Sequence, residues 1–249
     1  MAATVLPAPA SPRGAARTWW KPVQGQPWHL QLNGTPLLPK GVKVVDLDGN
    51  DTTAATVAAA HAKGMRAICY INAGGWEEWR PDAGRFPAAV RGRDLDDWPG
   101  EKWLDIRRTP VLLPIMAARM DQCRAKGFDA VDHDNLDGYQ TSTGFPLTAR
   151  HAVAYQTALA QLAHQRGLAI GLKNATDLVP RLAGVVDFAV NEECLAYQEC
   201  VGYQPLLARR RPVFHVEYTG ERASICARRP KGFSSILASQ DLDGATQRC

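Results

Sequence analysis

The sequence contains no apolar run approaching the ~20 residues of a membrane-spanning helix. It also lacks a concentrated basic region, because the densest basic runs, at 209–211 and 228–231, are short and suit solvated helix ends and loops. The net charge at pH 7 is only +4. These absences predict a protein with no membrane span and no nucleic-acid partner.

The six cysteines include no CxxC pair, so their spacing argues against a zinc site. An even number of cysteines instead suits disulfides formed in an oxidising compartment. One pair could close a small loop, a second could hold the C-terminal end, and a third could join a strand to a helix, although many other pairings are possible. In that order, the pairs are Cys194–Cys200, Cys226–Cys249 and Cys69–Cys123.

The first 18 residues lack the basic region and the following apolar region of an intact signal peptide. They are rich in Ala, Pro, Ser and Thr, a composition typical of a flexible linker. We therefore predict a flexible segment over residues 1–18, left after processing, and a single domain over residues 19–249.

Short β patterns and helical patterns alternate along the rest of the 249-residue chain, whose length is close to the ~250 residues of one (β/α)8 barrel. Helical patterns at 53–63, 113–126 and 148–166 each end before a glycine, and a β pattern follows that glycine directly. This repeated unit is typical of parallel sheets. The candidate strands are 29–32, 42–47, 66–72, 103–106, 130–134, 169–174, 188–192, 213–218 and 233–238.

These candidate strands outnumber the eight positions of a barrel by one, and the weakest are 29–32 and 103–106. The segment 73–102 is rich in Trp, Pro and Gly and has little periodicity. It is too long for an ordinary connection between a strand and a helix. The prediction is an α/β fold, a single (β/α)8 TIM barrel with this long Trp-rich loop over the C-terminal face of the strands.

Acidic and amide side chains follow most of the candidate strands. The stretch 127–139, GFDAVDHDNLDGY, is the clearest case, because a short apolar strand runs into Asp132, Asp134 and Asp137. The carboxyl ends of barrel strands face the mouth where substrates bind, so we predict a polar active site at this rim. The other polar residues at predicted strand ends are Asp46, Asp48, Tyr70, Asn72, Asp105, Asn135, Tyr139, Lys173, Asn174, Glu192, Glu217 and Tyr218.

Carboxylates dominate this rim, and the sequence suggests no Ser-His-Asp or Cys-His arrangement. Two carboxylates in unequal environments are what a glycosidase uses, one protonated as the acid and the other ionised. An Asp-rich site for Mg²⁺ or Ca²⁺ is the rival interpretation. Aromatic rings stack on sugars and attract ammonium groups, which favours the glycosidase. The tryptophans in or beside the long loop are Trp76, Trp79, Trp98 and Trp103.

Several ordered runs resemble glycoside hydrolase family 114, the endo-α-1,4-polygalactosaminidase family. The similarity extends over about residues 19 to 238, nearly the whole chain. The matching runs are WHLQLNG (28–34), CYINAGGWEEWRPD (69–82), WPGEKWLDIR (98–107), GFDAVDHDNLDGY (127–139), GFPLT (144–148), GLKN (171–174), FAVNEEC (188–194) and VFHVEY (213–218).

The resemblance implies a secreted (β/α)8 enzyme that cleaves α-1,4 links within galactosamine- or N-acetylgalactosamine-containing polysaccharide, such as a microbial exopolysaccharide. The Asp of the family's Asp-Asn pair falls on Asp134, and the Glu of its Asn-Glu-x-Cys motif falls on Glu192. We assign Asp134 as nucleophile or base and Glu192 as acid/base, and we rank Glu193 lower. Three departures from the family pattern leave both acids in place, and they are His133, Asp132 and Val45.

We expect the remaining rim residues and one loop tryptophan to contact the substrate. They are Asp46, Asp48, Tyr70, Asn72, Trp76, Asp105, Asp132, Asn135, Asp137, Tyr139, Lys173, Asn174, Glu217 and Tyr218. Lys173 is expected to pair with one of the acids and to lower its pKa. Galactosamine units without acetyl groups are ammonium ions near neutral pH, so an acidic rim would attract them even on a mildly basic protein.

The partner is therefore predicted to be a polysaccharide, with no metal and no cofactor, and the protein is expected to be a monomer. Two alternatives stay open. One is a barrel hydrolase of another α-linked sugar, such as an α-galactosidase. The other is a polysaccharide-binding protein without catalysis.

Overall fold

The protein is described here by a computed structural model that covers residues 18–96 and 98–249. All but the last residue of the predicted flexible segment 1–18 therefore lies outside the described residues. The strands are β1 (Trp28–Gln31), β2 (Val44–Asp48), β3 (Arg66–Asn72), β4 (Gly75–Glu77), β5 (Arg91–Asp94), β6 (Glu101–Leu104), β7 (Ala130–Asp134), β8 (Ala169–Lys173), β9 (Phe188–Glu192), β10 (Val213–Glu217), β11 (Phe233–Ala238) and β12 (Thr246–Arg248). The helices are α1 (Ala54–Ala62), α2 (Thr109–Lys126), α3 (Ala149–Gln165), α4 (Val179–Leu182), α5 (Gln204–Ala208) and α6 (Arg222–Arg228).

Eight of these strands form one parallel sheet in the order β1-β2-β3-β7-β8-β9-β10-β11. Strand β1 also lies against β11, so the sheet curls round until it is nearly closed. Strand β12 adds an antiparallel pair to the outer edge of β11. The (β/α)8 barrel predicted from the sequence is confirmed, and eight of the candidate strands are barrel strands.

The candidate strand at 103–106 is wrong as a barrel strand. This segment overlaps β6, which belongs to a separate antiparallel sheet in the order β4-β6-β5. Gly75 lies opposite Trp103 and Glu77 lies opposite Glu101, so the strand finds its partner within the long insertion between β3 and α2. The segment predicted as a loop with little periodicity therefore contains a small sheet beside the barrel mouth.

Three helix ends are formed by residues that suit the terminal backbone groups. Thr53 and Thr148 cap α1 and α3 by accepting hydrogen bonds from the N–H groups of Thr56 and His151. Helix α2 ends at Gly127, whose φ of 96° lies in the left-handed region that glycine adopts without strain. The end of each of these helices fixes where the next strand starts. It therefore also fixes which polar residues lie at the carboxyl end of that strand.

The cysteines form the three disulfides considered from the sequence, Cys69–Cys123, Cys194–Cys200 and Cys226–Cys249. The first joins β3 to α2, the second closes a short loop after β9, and the third joins α6 to the end of β12. Among the described residues, no helix combines the length and the apolar character that crossing a membrane requires.

Candidate active site

Side chains alternate between the inside of the barrel and the helical layer along each barrel strand. On β7, Ala130 packs inside the barrel, whereas Val131 packs in the apolar layer shared with the helices. The same alternation directs Asp132 and Asp134 inward and His133 outward. Both acids of this strand therefore belong to the barrel interior, at successive depths below its mouth.

Lys173, at the end of β8, lies between the two predicted catalytic acids. Its Nζ atom is 3.2 Å from Oδ2 of Asp134 and 3.3 Å from Oε2 of Glu192. Because both oxygens contact one nitrogen, they are at most about 6.5 Å apart, the sum of those two distances. The structure thus brings Asp134, Lys173 and Glu192 together at the ends of three adjacent strands, β7, β8 and β9.

Both oxygens of Asp134 accept a hydrogen bond. The Tyr70 hydroxyl donates to Oδ2 at 2.9 Å, and the backbone N–H of Asn135 donates to Oδ1 at 2.8 Å. Asn135 has a φ of 62°, in the left-handed region that asparagine enters more readily than most residues. This turn directs the backbone N–H towards the carboxylate, so the orientation of Asp134 is fixed on both sides.

Glu192 is held in a similar way by the neighbouring strands. Nδ2 of Asn174 donates to Oε2 at 2.9 Å, and Oδ1 of the same amide accepts from the Glu192 N–H at 2.8 Å. The Tyr218 hydroxyl donates to the other carboxylate oxygen, Oε1. Asn174 and Glu193 both have a positive φ, 49° and 61° respectively. Each of the three strands that carry the site is therefore followed by a residue in the left-handed region.

Asp46 and Asp132 lie one layer deeper, where substrate has no access, since they are 0% and 1% exposed. Their carboxylate oxygens have no hydrogen-bond partner among the described residues. Burial raises the pKa of Asp46 to about 7 and holds the pKa of Asp132 well above its usual value. Burial lowers the pKa of Lys173, but the carboxylates of Asp134, Glu192 and Asp132 outweigh it, so that its pKa is well above the ordinary value.

A cavity of about 440 Å³, which we call the central cavity, opens above the acid pair. Of the predicted site residues it is lined by Asp48, Tyr70, Asp134, Asn135, Asp137, Lys173, Asn174 and Glu192. A second cavity of about 370 Å³, the Trp98 cavity, adjoins it because Leu95 and Trp98 line both. A third of about 300 Å³, the Tyr197 cavity, adjoins it on the other side, since Asp137, Asn174 and Glu192 line both.

A group of charged residues on the Trp98 side was not foreseen. Nη1 and Nη2 of Arg80 donate to the two oxygens of Asp48 at 3.0 and 2.7 Å, and the same guanidinium holds Glu77. Glu101 accepts from Nδ2 of Asn72 at 2.9 Å. Burial, followed by the charges of Glu77 and Asp134, raises the pKa of Glu101 to about 7.

The sequence did contain a signal for these missed residues. Glu77 and Arg80 fall in the run 69–82 that resembles the family, and Glu101 falls in the run 98–107. They were passed over because they lie within the insertion rather than at the end of a barrel strand. Asn72, which was predicted, supports the insertion by accepting from the Gly75 N–H at 2.7 Å.

Two predicted site residues do not reach the central cavity because they belong to the insertion. Asp105 follows β6 rather than a barrel strand, and it accepts hydrogen bonds from Arg107 at 2.7 and 2.9 Å. Trp76 is buried, donates from Nε1 to the Ala83 carbonyl at 3.1 Å, and borders only the Trp98 cavity. The rim position predicted for Asp105 is therefore wrong.

Glu217, Tyr139 and Tyr218 also lie away from the central cavity. The side chain of Glu217 points outward from the barrel, as that of His215 does. It accepts hydrogen bonds from Nε2 of His215 at 2.7 Å and from the Leu195 N–H at 2.9 Å. It therefore anchors the loop after β9. Tyr139 donates its hydroxyl to Asp177, whereas Tyr218 lines the Tyr197 cavity.

One group of three neighbouring side chains consists of residue types that can bind a metal ion. Cys194, Cys200 and His215 offer atoms within 4.8 Å of one another. The two cysteines are joined in a disulfide, so neither supplies the thiolate that a metal would need. Five carboxylates of the central cavity are instead engaged by Lys173, Arg80, tyrosines and amides, and these are Asp48, Glu77, Glu101, Asp134 and Glu192.

Sequence and structure comparisons find similar proteins. A protein of unknown function from Deinococcus radiodurans is 31% identical over 236 residues, which cover 80% of this chain and 74% of that protein. The crystal structure of Aspergillus fumigatus Ega3 in complex with galactosamine is similar over 95% of this chain and 100% of that one, with a TM-score of 0.88 and 33% identity.

The glycoside hydrolase domain of PelA from Pseudomonas aeruginosa shares the fold at 16% identity, with a TM-score of 0.70, over 89% of this chain and 97% of that domain. The profile of glycoside-hydrolase family GH114 matches residues 9–249, which is nearly the whole chain. This chain is a glycoside hydrolase and belongs to family GH114.

Proposed function

We propose that the enzyme is an endo-acting glycosidase that hydrolyses α-1,4 linkages in galactosamine- and N-acetylgalactosamine-containing polysaccharide. The observation that carries this proposal is the pairing of Asp134 and Glu192 on Lys173 below three adjoining cavities. Cavities on both sides of the acid pair leave room for polymer on both sides of a cleaved bond. The likeness to a fungal protein in complex with galactosamine supports the choice of sugar.

In this mechanism Asp134 is the nucleophile and Glu192 is the acid/base. Asp134 is fixed through both oxygens, which suits a group that must attack the anomeric carbon along one line. The Glu192 side chain is 25% exposed, whereas that of Asp134 is 17% exposed. Glu192 also lines both the central and the Tyr197 cavities. From there it can protonate the departing glycosidic oxygen and later take a proton from water.

The spacing of the two acids favours retention of the anomeric configuration. Retaining enzymes hold their carboxyl groups ~5–5.5 Å apart, whereas inverting enzymes need ~6.5–9.5 Å to admit water. The limit of about 6.5 Å between Oδ2 of Asp134 and Oε2 of Glu192 lies at the bottom of the inverting range. We expect proton NMR to detect the α-anomer as the first product, and a β-anomer formed first would exclude the double displacement.

Replacing either acid by its amide tests the two roles. Asp134→Asn and Glu192→Gln should each lower kcat on de-N-acetylated α-1,4-galactosamine polymer by at least about a thousandfold, because each removes a reacting group. The release of reducing ends measures activity. Circular dichroism and thermal melting measure folding, which we expect to stay intact.

Asp121→Asn is the matched control. This carboxylate is 59% exposed on α2, where it pairs with Arg166, and the same chemical change there should leave activity at the wild-type level. Full activity in either active-site variant would refute the assignment. Binding of the polymer by the wild type without turnover would support a carbohydrate-binding protein instead, and cleavage of other α-linked galactosides alone would support the α-galactosidase alternative.

We also propose that the enzyme works outside the cytoplasm. The three disulfides support this, because such bonds persist in oxidising compartments. Expression in an oxidising and in a reducing compartment, followed by thiol titration of the native enzyme, tests the proposal. Free thiols in the enzyme isolated from its own source would contradict it.

A further inference from the structure

The insertion between β3 and α2 begins directly against the turn that carries Asp134. The backbone N–H groups of Ala73 and Gly74, the first two residues of the insertion, both donate to the Asp134 carbonyl, at 3.2 and 3.0 Å. A Cβ atom at Gly74 would overlap the Asn135 carbonyl oxygen, so only glycine permits this approach. The start of the insertion and the turn that carries the proposed nucleophile therefore form one hydrogen-bonded unit.

The side chain of Asn72, the last residue of β3, joins the same two parts of the molecule. Its Oδ1 atom accepts from the Gly75 N–H at 2.7 Å and from Nδ2 of Asn135 at 3.0 Å. Its Nδ2 atom donates to Oε2 of Glu101, on strand β6 of the insertion, at 2.9 Å. Since the backbone N–H of Asn135 holds Oδ1 of Asp134, a single amide links the insertion to the carboxylate of the proposed nucleophile.

This position requires an amide side chain. Two donors face its oxygen and a carboxylate faces its nitrogen, so the side chain must accept on one side and donate on the other. Asn72 is 1% exposed and lies outside the lining of the central cavity. Water therefore weakens its hydrogen bonds little. Because substrate does not reach this amide, it can act on the reaction only through the residues that it holds.

A second link, through Arg119 on α2, is independent of the Asn72 side chain. Nη1 of Arg119 donates to the Asn72 carbonyl at 2.9 Å. Its Nε and Nη2 atoms donate to the two oxygens of Asp82, within the insertion, at 2.8 and 2.7 Å. Arg119 therefore holds the insertion against the end of β3 even when the amide is changed. A substitution at position 72 thus tests the side-chain link separately from the fold of the insertion.

We propose that Asn72 is a positioning residue that couples the insertion to the nucleophile. Its amide is held by Glu101 on one side and holds Asn135 on the other, and it thereby fixes the direction of the Asp134 carboxylate. The insertion that forms the wall of the Trp98 cavity thus also orients the attacking group. This inference rests on the proposed function, because it takes Asp134 as the nucleophile. It adds a residue that substrate does not contact and on which the chemical step depends.

Asn72→Asp tests the link, because it keeps an acceptor but replaces the donor by a carboxylate that faces Glu101. At pH 8, the release of reducing ends from de-N-acetylated α-1,4-galactosamine polymer should show kcat lowered at least about tenfold, as expected for the loss of one buried hydrogen bond to a charged group. KM should change less than about twofold, because the amide does not contact substrate. A residue that only shaped the cavity wall would change KM instead.

The double variant Asn72→Asp/Glu101→Gln reverses the donor and the acceptor. The amide introduced at position 101 donates to the carboxylate at position 72, and the total charge of the wild type is kept. Its kcat should return to within about threefold of that of the Glu101→Gln single variant, which is the reference since Glu101 lines the central cavity. Such a recovery would show that the reaction requires the hydrogen bond rather than the volume of the side chain.

Asn50→Asp is the matched control. Nδ2 of Asn50 donates to Asp51 at 2.7 Å on an exposed loop after β2, so the same change there brings two carboxylates together in water. This variant should keep the wild-type kcat. Circular dichroism and thermal melting measure folding, and if Asn72→Asp does not fold, the double variant is compared with Glu101→Gln instead.

Three outcomes would overturn the coupling while leaving the hydrolase intact. They are an unchanged kcat in Asn72→Asp, a loss that lies in KM rather than in kcat, and a folded double variant that stays at least about tenfold below Glu101→Gln. A wild-type enzyme that cleaves no galactosamine polymer would overturn the proposed function itself.

Discussion

Lys173 sets the charge balance of the barrel interior. Its ammonium contacts Asp134 and Glu192 directly, and it lies close enough to Asp46 and Asp132 to influence both. Four carboxylates therefore depend on one cation. Because a buried anion without a counter-charge is costly, at least one of the deeper acids is protonated near neutral pH.

The buried acid Asp46 should make folding stability depend on pH. Burial raises its pKa to about 7, so between pH ~4 and 7 the folded state keeps a proton that the unfolded state has released. This raised pKa makes stability fall as pH rises through that window. The amide of Asp46→Asn does not titrate, so its stability relative to wild type should grow by on the order of 2 kcal/mol between pH 5 and pH 8.

Urea denaturation of both proteins at the two pH values measures this difference. Contributions from titrating groups that do not interact with Asp46 cancel because they are common to both proteins. Asp132 is the exception, because the charge of Asp46 raises its pKa. A difference in unfolding free energy that stays constant from pH 5 to pH 8 would show that Asp46 is ionised throughout.

The location of a single side chain followed from the sequence where a strand ends in several polar residues. It did not follow where the inner and outer faces of the strand look alike. Asp134 and Glu192 end strands whose last residues are polar, so their location followed from the strand itself. Glu217 was misplaced because Val213, Phe214 and Val216 make both faces of β10 apolar. A parallel strand buried on both sides carries no hydrophobic alternation to tell its inner face from its outer face.

At the level of elements, the barrel strands were predictable and the insertion was not. Three barrel strands, β3, β7 and β8, follow helix-ending glycines, and most barrel strands are rich in apolar residues, which makes them visible in the sequence. Strand β5, Arg91–Asp94, reads RGRD and has no apolar residue, and β4 has only three residues. Such strands exist through pairing with β6, and pairing over this distance leaves no local pattern.

Removing the Cys69–Cys123 disulfide and removing the Cys194–Cys200 disulfide should affect stability and activity differently. Closing the 54-residue separation between Cys69 and Cys123 contributes about 4 kcal/mol in the loop-entropy description, against about 2 kcal/mol for the separation of 6 between Cys194 and Cys200. The double Ser variant of the first pair should therefore lose more stability. The double Ser variant of the second pair should lose activity at temperatures where it remains folded, because this disulfide closes the loop that carries Tyr197 and Glu199 beside Glu192 in the Tyr197 cavity.

Thermal melting and kcat/KM, measured on the same two double variants, distinguish these effects. The variant of one pair serves as the control for the other. Equal losses of activity in both, tracking their losses of stability, would mean that the Cys194–Cys200 loop has no part in substrate binding.

The whole molecule carries a net charge of +4, yet its cleft is acidic at one end. The net charge repels a polycationic polymer, whereas the local field of the Tyr197 cavity attracts it. Salt screens both the repulsion by the net charge and the attraction by the cavity. The direction in which kcat/KM changes with salt therefore shows which of the two is larger. We expect kcat/KM on de-N-acetylated polymer to fall several-fold as NaCl rises from about 50 to 500 mM, within the range of Debye screening.

The same polymer re-acetylated with acetic anhydride is the control for this measurement. It carries no charge, so its kcat/KM should change little over the same salt range. A rise in kcat/KM on the free-amine polymer would show that the charge of the whole molecule governs its encounter with substrate.

The dependence of four acids on Lys173 also has a genetic consequence. A change that removes the lysine leaves an excess of negative charge in the barrel, and a second change that neutralises Asp46 or Asp132 relieves it. A random screen for suppressors of a folding defect in Lys173→Met should recover substitutions at the two buried aspartates, which lie one layer below the acid pair.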